Sequence, residues 1–393
     1  MRKFFLIITI LMLNLMAAYG QQVWPTTEWM VSKPESEGMV TDSIIAFDTD
    51  IANGKYGFID DLIITRNGKL IYHKSWKHDY DKIYGDKSKI SGVLNPLDPG
   101  GPYNYYNPWW HPFYRRGELH SLQSVSKTIT SVIIGIAVSK KEFPQLSQTV
   151  LSFFDTAKVK NIDDRKSKMT IEHLLTMTAG FDWNEGVVPY TDPMNDCGIM
   201  EASFDWVQYA IDKPMANEPG QTFAYNSGAT QLLSYIFRKA TAKDIEEYAF
   251  QHLFAPLGIK DFYWKRTPTG LADTEGGLYL KPTDLAKIFY LWQQNGNWNG
   301  KQIVSTEWVK ASVTPFISLG PGIKYGYKWW LHEYGKNNQL AWCGSGFGGQ
   351  LPVIIPEYNL VAVFTGWNII QGKPSLGTRT ILRRLVNAVA DKK

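Results

Sequence analysis

The spacing of apolar residues changes along the chain, and each change predicts a different element. Residues 4–16 are almost wholly apolar behind Arg2 and Lys3, and Ala18-Tyr19-Gly20 follows. That order is a secretory signal with a small-residue cleavage site. The run is too short for a transmembrane helix, which needs about 20 apolar residues. The expectation is a signal peptide over 1–20 and an exported protein, periplasmic or secreted, of residues 21–393, with no stable membrane insertion after cleavage.

Thr41-Asp42 predicts the N-cap of an amphipathic helix to about Ala52. Two β-rich runs, 61–65 and 70–73, flank Asn67-Gly68, a strong hairpin signal. Residues 80–119 are interleaved with prolines and aromatics, which reads as an ordered loop that leads into Ser124 and forms one wall of a site. Residues 125–138 are apolar on almost every face, as in a buried helix. Helical spacing continues over 170–175, stopping by Gly180, and over 205–212, 227–238 and 244–257. Lys281-Pro282 opens another helix to about Gln294. Strands return at 325–332, 350–355 and 360–365, the last two joined by a turn at 356–359, and a basic amphipathic helix closes the chain at 377–390.

Isolated hairpins are marginal in water, so the early and late strands belong in one sheet. The expected fold class is α/β: an antiparallel β-sheet flanked by N- and C-terminal helices, with a mostly helical inserted subdomain. The α/β body takes about 35–140 and 265–393, and the helical subdomain about 140–265.

Composition excludes several functions. The 41 basic residues against 37 acidic give a net charge of +4 with no basic run, so no nucleic-acid partner is expected. Cys197 and Cys343 cannot form a disulfide scaffold or a metal motif, and whether they bond to each other is a matter of geometry. No H-E-x-x-H, paired CxxC or strand-borne G-x-G-x-x-G occurs, so no metal and no cofactor are expected. Fifteen tryptophans suggest planar surfaces beyond the needs of a core, such as a substrate cleft.

Three stretches carry candidate chemistry. Ser124-Val125-Ser126-Lys127 heads the apolar helix, where residues i and i+3 are neighbours. Free N–H groups at that helix end favour developing negative charge. A neutral Lys127 would accept the Ser124 proton, and burial with a neighbouring cation would make it neutral. Ala224-Tyr225-Asn226-Ser227-Gly228 opens a second helix; Tyr225 is a proton relay between Ser124 and a leaving group, and Ser227 a partner for Lys127 or substrate. Gly344-Ser345-Gly346-Phe347-Gly348-Gly349-Gln350 lets backbone approach something closely. Its Phe347 N–H, with that of Ser124, would form an oxyanion hole. His120, four residues before Ser124, is assigned a structural role.

With these stretches in order, and with 170–180 (Thr-Ile-Glu-His-Leu-Leu-Thr-Met-Thr-Ala-Gly) and Pro219-Gly220 between them, the chain resembles the serine β-lactamase-like hydrolases of class C topology. These include class C β-lactamases, D-alanyl-D-alanine carboxypeptidases, family VIII carboxylesterases and 6-aminohexanoate-dimer hydrolases. The resemblance implies a β-lactamase/transpeptidase-like fold, acylation of Ser124, and Lys127 with Tyr225 as acid–base pair. It also implies substrate contacts at Gly344, Ser345, Gly346 and Ser227. A loop from Trp183 and Glu185 to Asp192 and Asp196 resembles the substrate-facing region of the aminohexanoate-dimer hydrolases, with carboxylates to receive an ammonium group. The third motif lacks the cation that β-lactamases and peptidases use there. The expectation is therefore hydrolysis of a small ester, amide or peptide-like substrate. β-Lactamase or carboxypeptidase activity is the alternative, and a non-catalytic binder of cell-wall fragments the second.

Overall fold

Asn67 and Gly68, with φ of 54° and 78°, turn the first hairpin of the sheet, the left-handed pair that matches strand twist. The computed structural model describes residues 24–90, 100–190, 192–370 and 372–390. The expected signal segment 1–20, and Pro96 and Pro99 of the aromatic stretch, lie outside the described residues.

Helix α1 (Thr41–Ala52) precedes β1 (Ile59–Arg66) and β2 (Lys69–Ser75). The helices that matter for the site are α2 (Val125–Ser139), α3 (Asp196–Ala202), α4 (Ser227–Thr241) and α5 (Pro282–Gln293). Six more strands of the main sheet follow: β3 (Ile317–Ser318), β4 (Ile323–Tyr325), β5 (Trp330–Tyr334), β6 (Gln339–Cys343), β7 (Leu351–Ile355) and β8 (Leu360–Gly366), and α6 (Thr378–Asn387) ends the fold. They form one eight-stranded sheet in the order β2-β1-β8-β7-β6-β5-β4-β3, antiparallel at every pairing.

Alternation along β1 and β8 explains the layers. Ile63, Val361 and Val363 face the large core shared with α2 and α5. Leu62, Ile64, Ala362 and Phe364 face the other core, with Ile44 and Phe47 of α1 and Ile381 and Leu385 of α6. Both faces are covered, so β1 is buried along its whole length. The first and last helices thus share one face of the sheet, and the helices between 125 and 293 build on the other. The fold is β-lactamase/transpeptidase-like.

Local details depart from the expectations in instructive ways. The cap of α1 is Val40, and the Thr41 hydroxyl donates to Glu35. The 170–175 helix runs Ile171–Leu175 from a Thr170 cap and ends at Thr176, before Gly180. The helix expected at 244–257 is α-helical only over Ile245–Ala249 and continues as a π turn over Phe250–Phe254. The single strand expected at 325–332 is two, because Lys328 turns back with φ 64° between β4 and β5. Strand β6, unforeseen, pairs β5 with β7. The tryptophans serve the interior more than a cleft: Trp206, Trp264, Trp292, Trp329 and Trp367 are fully buried. Cys197 and Cys343 are both buried and free. Among the described residues no helix is long and apolar enough to cross a membrane.

Candidate active site

Ser124 is the N-cap of α2, and its side chain makes no capping bond. Gln123 before it is held at φ 48°, a conformation that costs energy in a non-glycine residue. Its carbonyl accepts from Ser126 N–H at 2.8 Å, so the strained turn starts the helix and leaves Ser124 half-exposed among buried neighbours. Lys127, one turn on, is 1% exposed. Its Nζ donates to Ser124 Oγ at 2.9 Å, to the Glu275 carbonyl at 2.7 Å and to Glu275 Oε2 at 3.0 Å.

Glu275 is the residue that sequence reasoning missed. It sits in the turn before the short strand Leu278–Leu280. The Leu122 N–H donates to the Leu278 carbonyl at 2.9 Å and the Leu278 N–H to Ser126 Oγ at 3.1 Å, which ties this turn to the head of α2. The only local signal was a glutamate before Gly276-Gly277 at a strand start. Glu275 also carries a hydrogen bond with Glu201 of α3, and the Tyr105 hydroxyl donates to Glu201. Cys197 Sγ lies 3.9 Å from Glu275 Oε1.

Electrostatics follow from that packing. Burial disfavours the Lys127 ammonium, but Tyr225, Glu275 and Glu185 outweigh it and hold the amine well above its ordinary range. Burial raises the Tyr225 phenol, although Lys127 opposes this. At neutral pH the phenol is therefore protonated, and the attraction on Lys127 comes from the carboxylates. The sequence led to the expectation of a neutral Lys127, whereas the adjacent Glu275 carboxylate favours the charged form. Burial pushes Glu201 well up, and adjacent Glu275 adds to it. Burial also works to raise Glu275, but Lys127 and Lys265 overcome it and pull that group down. Of the two carboxyls, Glu201 is therefore the one that holds a proton more readily.

Tyr225 lies beside Ser124, whose hydroxyl works to lower the phenol, with Lys127 Nζ 5.2 Å from its ring centre. Ser124 and Phe347 border the same small cavity. Among the described residues neither backbone N–H has a hydrogen-bond acceptor. The third motif can come this close because Gly346 lacks a side chain: a Cβ there would sit 2.4 Å from the Leu122 carbonyl. At Gly344 a Cβ would meet Pro352 at 2.9 Å and Val125 at 3.2 Å. Ser345 is partly exposed between them.

The residues expected to contact substrate have protein partners of their own. Ser227 does not reach Lys127; its hydroxyl donates to Glu185 Oε1 at 2.7 Å. Trp183 Nε1 donates to Glu185 Oε2 at 2.8 Å, and Tyr190 OH to Oε1 at 2.8 Å. Asp192 accepts from Met194 N–H at 2.8 Å, and Asp196 from Tyr209, Lys213 and Asn184. These carboxylates are taken by protein donors. The cavity beside Ser124, about 20 Å³, is lined by Tyr105, Gln123, Tyr190, Cys197, Gly198, Glu201, Glu275 and Phe347, so the aromatic stretch reaches it through Tyr105. That volume holds about one water. A larger groove of about 530 Å³, bordered by Trp29, Lys260 and Lys281, includes no residue of the three motifs. His120 is structural: its Nε2 meets Asp60 Oδ2 at 2.9 Å with both side chains fully buried.

Such an arrangement, a hydroxyl on a helix end between an amine and a phenol and beside two free N–H groups, has the parts for acyl transfer. Several known proteins are similar to the chain. The chain is 24% identical to 6-aminohexanoate-dimer hydrolase of Paenarthrobacter ureafaciens over 276 residues, 64% of this chain and 68% of that protein. It is 30% identical to monacolin J acid methylbutanoyltransferase of Aspergillus terreus over 123 residues, 31% of this chain. That match spans only 30% of the transferase's length. A family VIII carboxylesterase structure superposes with a TM-score of 0.61 at 14% identity, covering 89% of this chain and 96% of that one. The sequence pattern of the beta-lactamase family matches residues 60–385, and the chain belongs to that family.

Proposed function

We propose that this enzyme hydrolyses a small ester or amide through an acyl-enzyme on Ser124. One observation carries the reading: a buried Lys127 amine 2.9 Å from the half-exposed Ser124 hydroxyl, a contact that a purely structural helix end does not need. Ser124 Oγ attacks the carbonyl carbon, and the Ser124 and Phe347 N–H groups receive the oxyanion. Tyr225 donates a proton to the departing alcohol or amine. Water then releases the acyl group. The third motif, Gly344-Ser345-Gly346, brings no cation, so β-lactam and D-Ala-D-Ala substrates lack a charge-assisted carboxylate contact.

A fluorophosphonate probe tests this. Wild type becomes labelled and Ser124→Ala does not; absence of label on wild type overturns the reading in favour of a non-catalytic binder. p-Nitrophenyl esters, an aminohexanoate dimer and a chromogenic cephalosporin, assayed side by side, separate the substrates, with ester or amide turnover dominant. The methylbutanoyltransferase match supports a second reading, transfer of the acyl group to an alcohol other than water. Adding an alcohol to the ester assay then diverts the product to a new ester. The pattern of residues 1–20 supports export, and N-terminal sequencing of the secreted protein would begin at Gln21.

A further inference from the structure

The ion pair behind Ser124 has a use beyond holding Lys127 in place. We propose that Glu275 is the temporary store for the Ser124 proton, acting through Lys127. The inference rests on the acyl-enzyme reading above and assigns the missing acceptor in it.

The need arises from charge. Lys127 Nζ donates to three acceptors, Ser124 Oγ, the Glu275 carbonyl and Glu275 Oε2, which uses all three N–H bonds of an ammonium and leaves no lone pair with which to take the proton of Ser124. Tyr225 is protonated and equally unable. Glu275 Oε2 is 3.0 Å from the same Nζ that is 2.9 Å from Ser124 Oγ, so one nitrogen bridges donor and acceptor. The steps balance. A Lys127 N–H bond breaks as an O–H bond forms on Glu275 Oε2, leaving a neutral amine. The Ser124 O–H bond breaks as that amine regains a proton, and Oγ bonds to the carbonyl carbon. As the leaving group departs it takes the Tyr225 proton; Lys127 reprotonates Tyr225, and Glu275 returns its proton to Lys127. The net change is one proton moved from Ser124 to the leaving group.

Glu275 is suited to brief storage because its surroundings are balanced. Lys127 of α2 and Lys265 favour its carboxylate. Asp273 lies on its own loop, Glu201 and Cys197 on α3, and Tyr103 and Tyr105 on the aromatic stretch. Tyr225 and Glu185 face the same amine. Of these, Glu201 bonds Glu275 directly and stays protonated, so the store is a carboxylate with a carboxylic acid behind it.

The test is Glu275→Gln, which keeps the backbone carbonyl and a side-chain oxygen for Lys127 but cannot store a proton. Wild-type kcat/KM should fall on the acid side as Glu275 protonates. In the variant kcat should drop about 10²-fold with KM within about twofold, and the acid limb should give way to a rate that climbs with pH as Lys127 loses its proton. A kcat/KM within about threefold of wild type, or a lowered rate with an unchanged pH profile, overturns the proposal, the second result assigning Glu275 a structural role only. If the variant does not fold, Glu201→Gln serves instead. Its amide is a weaker donor to Glu275 than the acid, so the acid limb should move to higher pH, and an unmoved limb overturns the store. Fluorophosphonate labelling keeps the two readings apart. Unlabelled wild type removes the hydrolase and the store together, whereas labelled wild type with an unchanged Glu275→Gln profile removes the store alone.

Discussion

Ser227 donates twice to Glu185, its N–H to Oε2 and its hydroxyl to Oε1, both at 2.7 Å. Trp183 and Tyr190 complete the set. One buried carboxylate thus ties the start of α4, which carries Tyr225 just before it, to the 183–190 loop over the cavity. Glu185→Gln turns one acceptor oxygen into a donor facing donors. It should cost about 2–4 kcal/mol and lower kcat as Tyr225 loses its placement. Thermal unfolding and ester kinetics read both; an unchanged Tm would show that the clamp is not structural.

Gly346→Ala should reduce ester turnover at least about tenfold and destabilise by about 1–3 kcal/mol, since the new Cβ forces the third motif off Leu122. Gly300→Ala, where nothing lies within 4 Å, is the control: it carries the strain of φ 80° without touching the site. Activity retained in both variants would dissociate the Phe347 N–H from the reaction.

Among the described residues, only Met177 Sδ, 3.1 Å away, meets the amine of buried Lys328. Burial, helped by the Lys127 charge, pushes this lysine well below its usual range. The unfolded chain binds a proton that the folded one does not, so stability is lost as pH falls below the ordinary lysine range. Lys328→Met should therefore raise stability at pH 7 by about 1–3 kcal/mol, with a smaller gain near pH 10. Denaturant unfolding at the two pH values measures the difference; a loss at pH 7 would mean the amine has a stabilising partner.

Glu201 gives the opposite sign. Burial and Glu275 raise it, so the folded state keeps a proton that the unfolded state releases above the ordinary glutamate range, and stability falls as pH rises through that window. Glu201→Gln preserves an acceptor for Tyr105 and a donor to Glu275. It should match wild type at pH 4 and exceed it at pH 7 by about 1–2 kcal/mol. Equal melting curves at both pH values would mean that Glu201 is ionised in the fold.

The sequence by itself determined what local geometry determines. Ser124 and Lys127 are one helical turn apart, so their meeting was legible from spacing, as was the Asn67-Gly68 hairpin from backbone preference. The early and late hairpins, each too small to stand alone, were enough to indicate the sheet with its two end helices. The break at Lys328 was hidden because the aromatic residues on either side of Gly326 and Lys328 have strand propensity, and a lysine carries no signal for a left-handed turn. Only the tertiary structure decided what the lysine faces. Glu275 comes from a segment 148 residues away in the chain, and no periodicity links it to α2. Its arrival favours the charged form of Lys127, because a carboxylate 3.0 Å from a buried amine opposes the burial that the sequence alone led one to weigh.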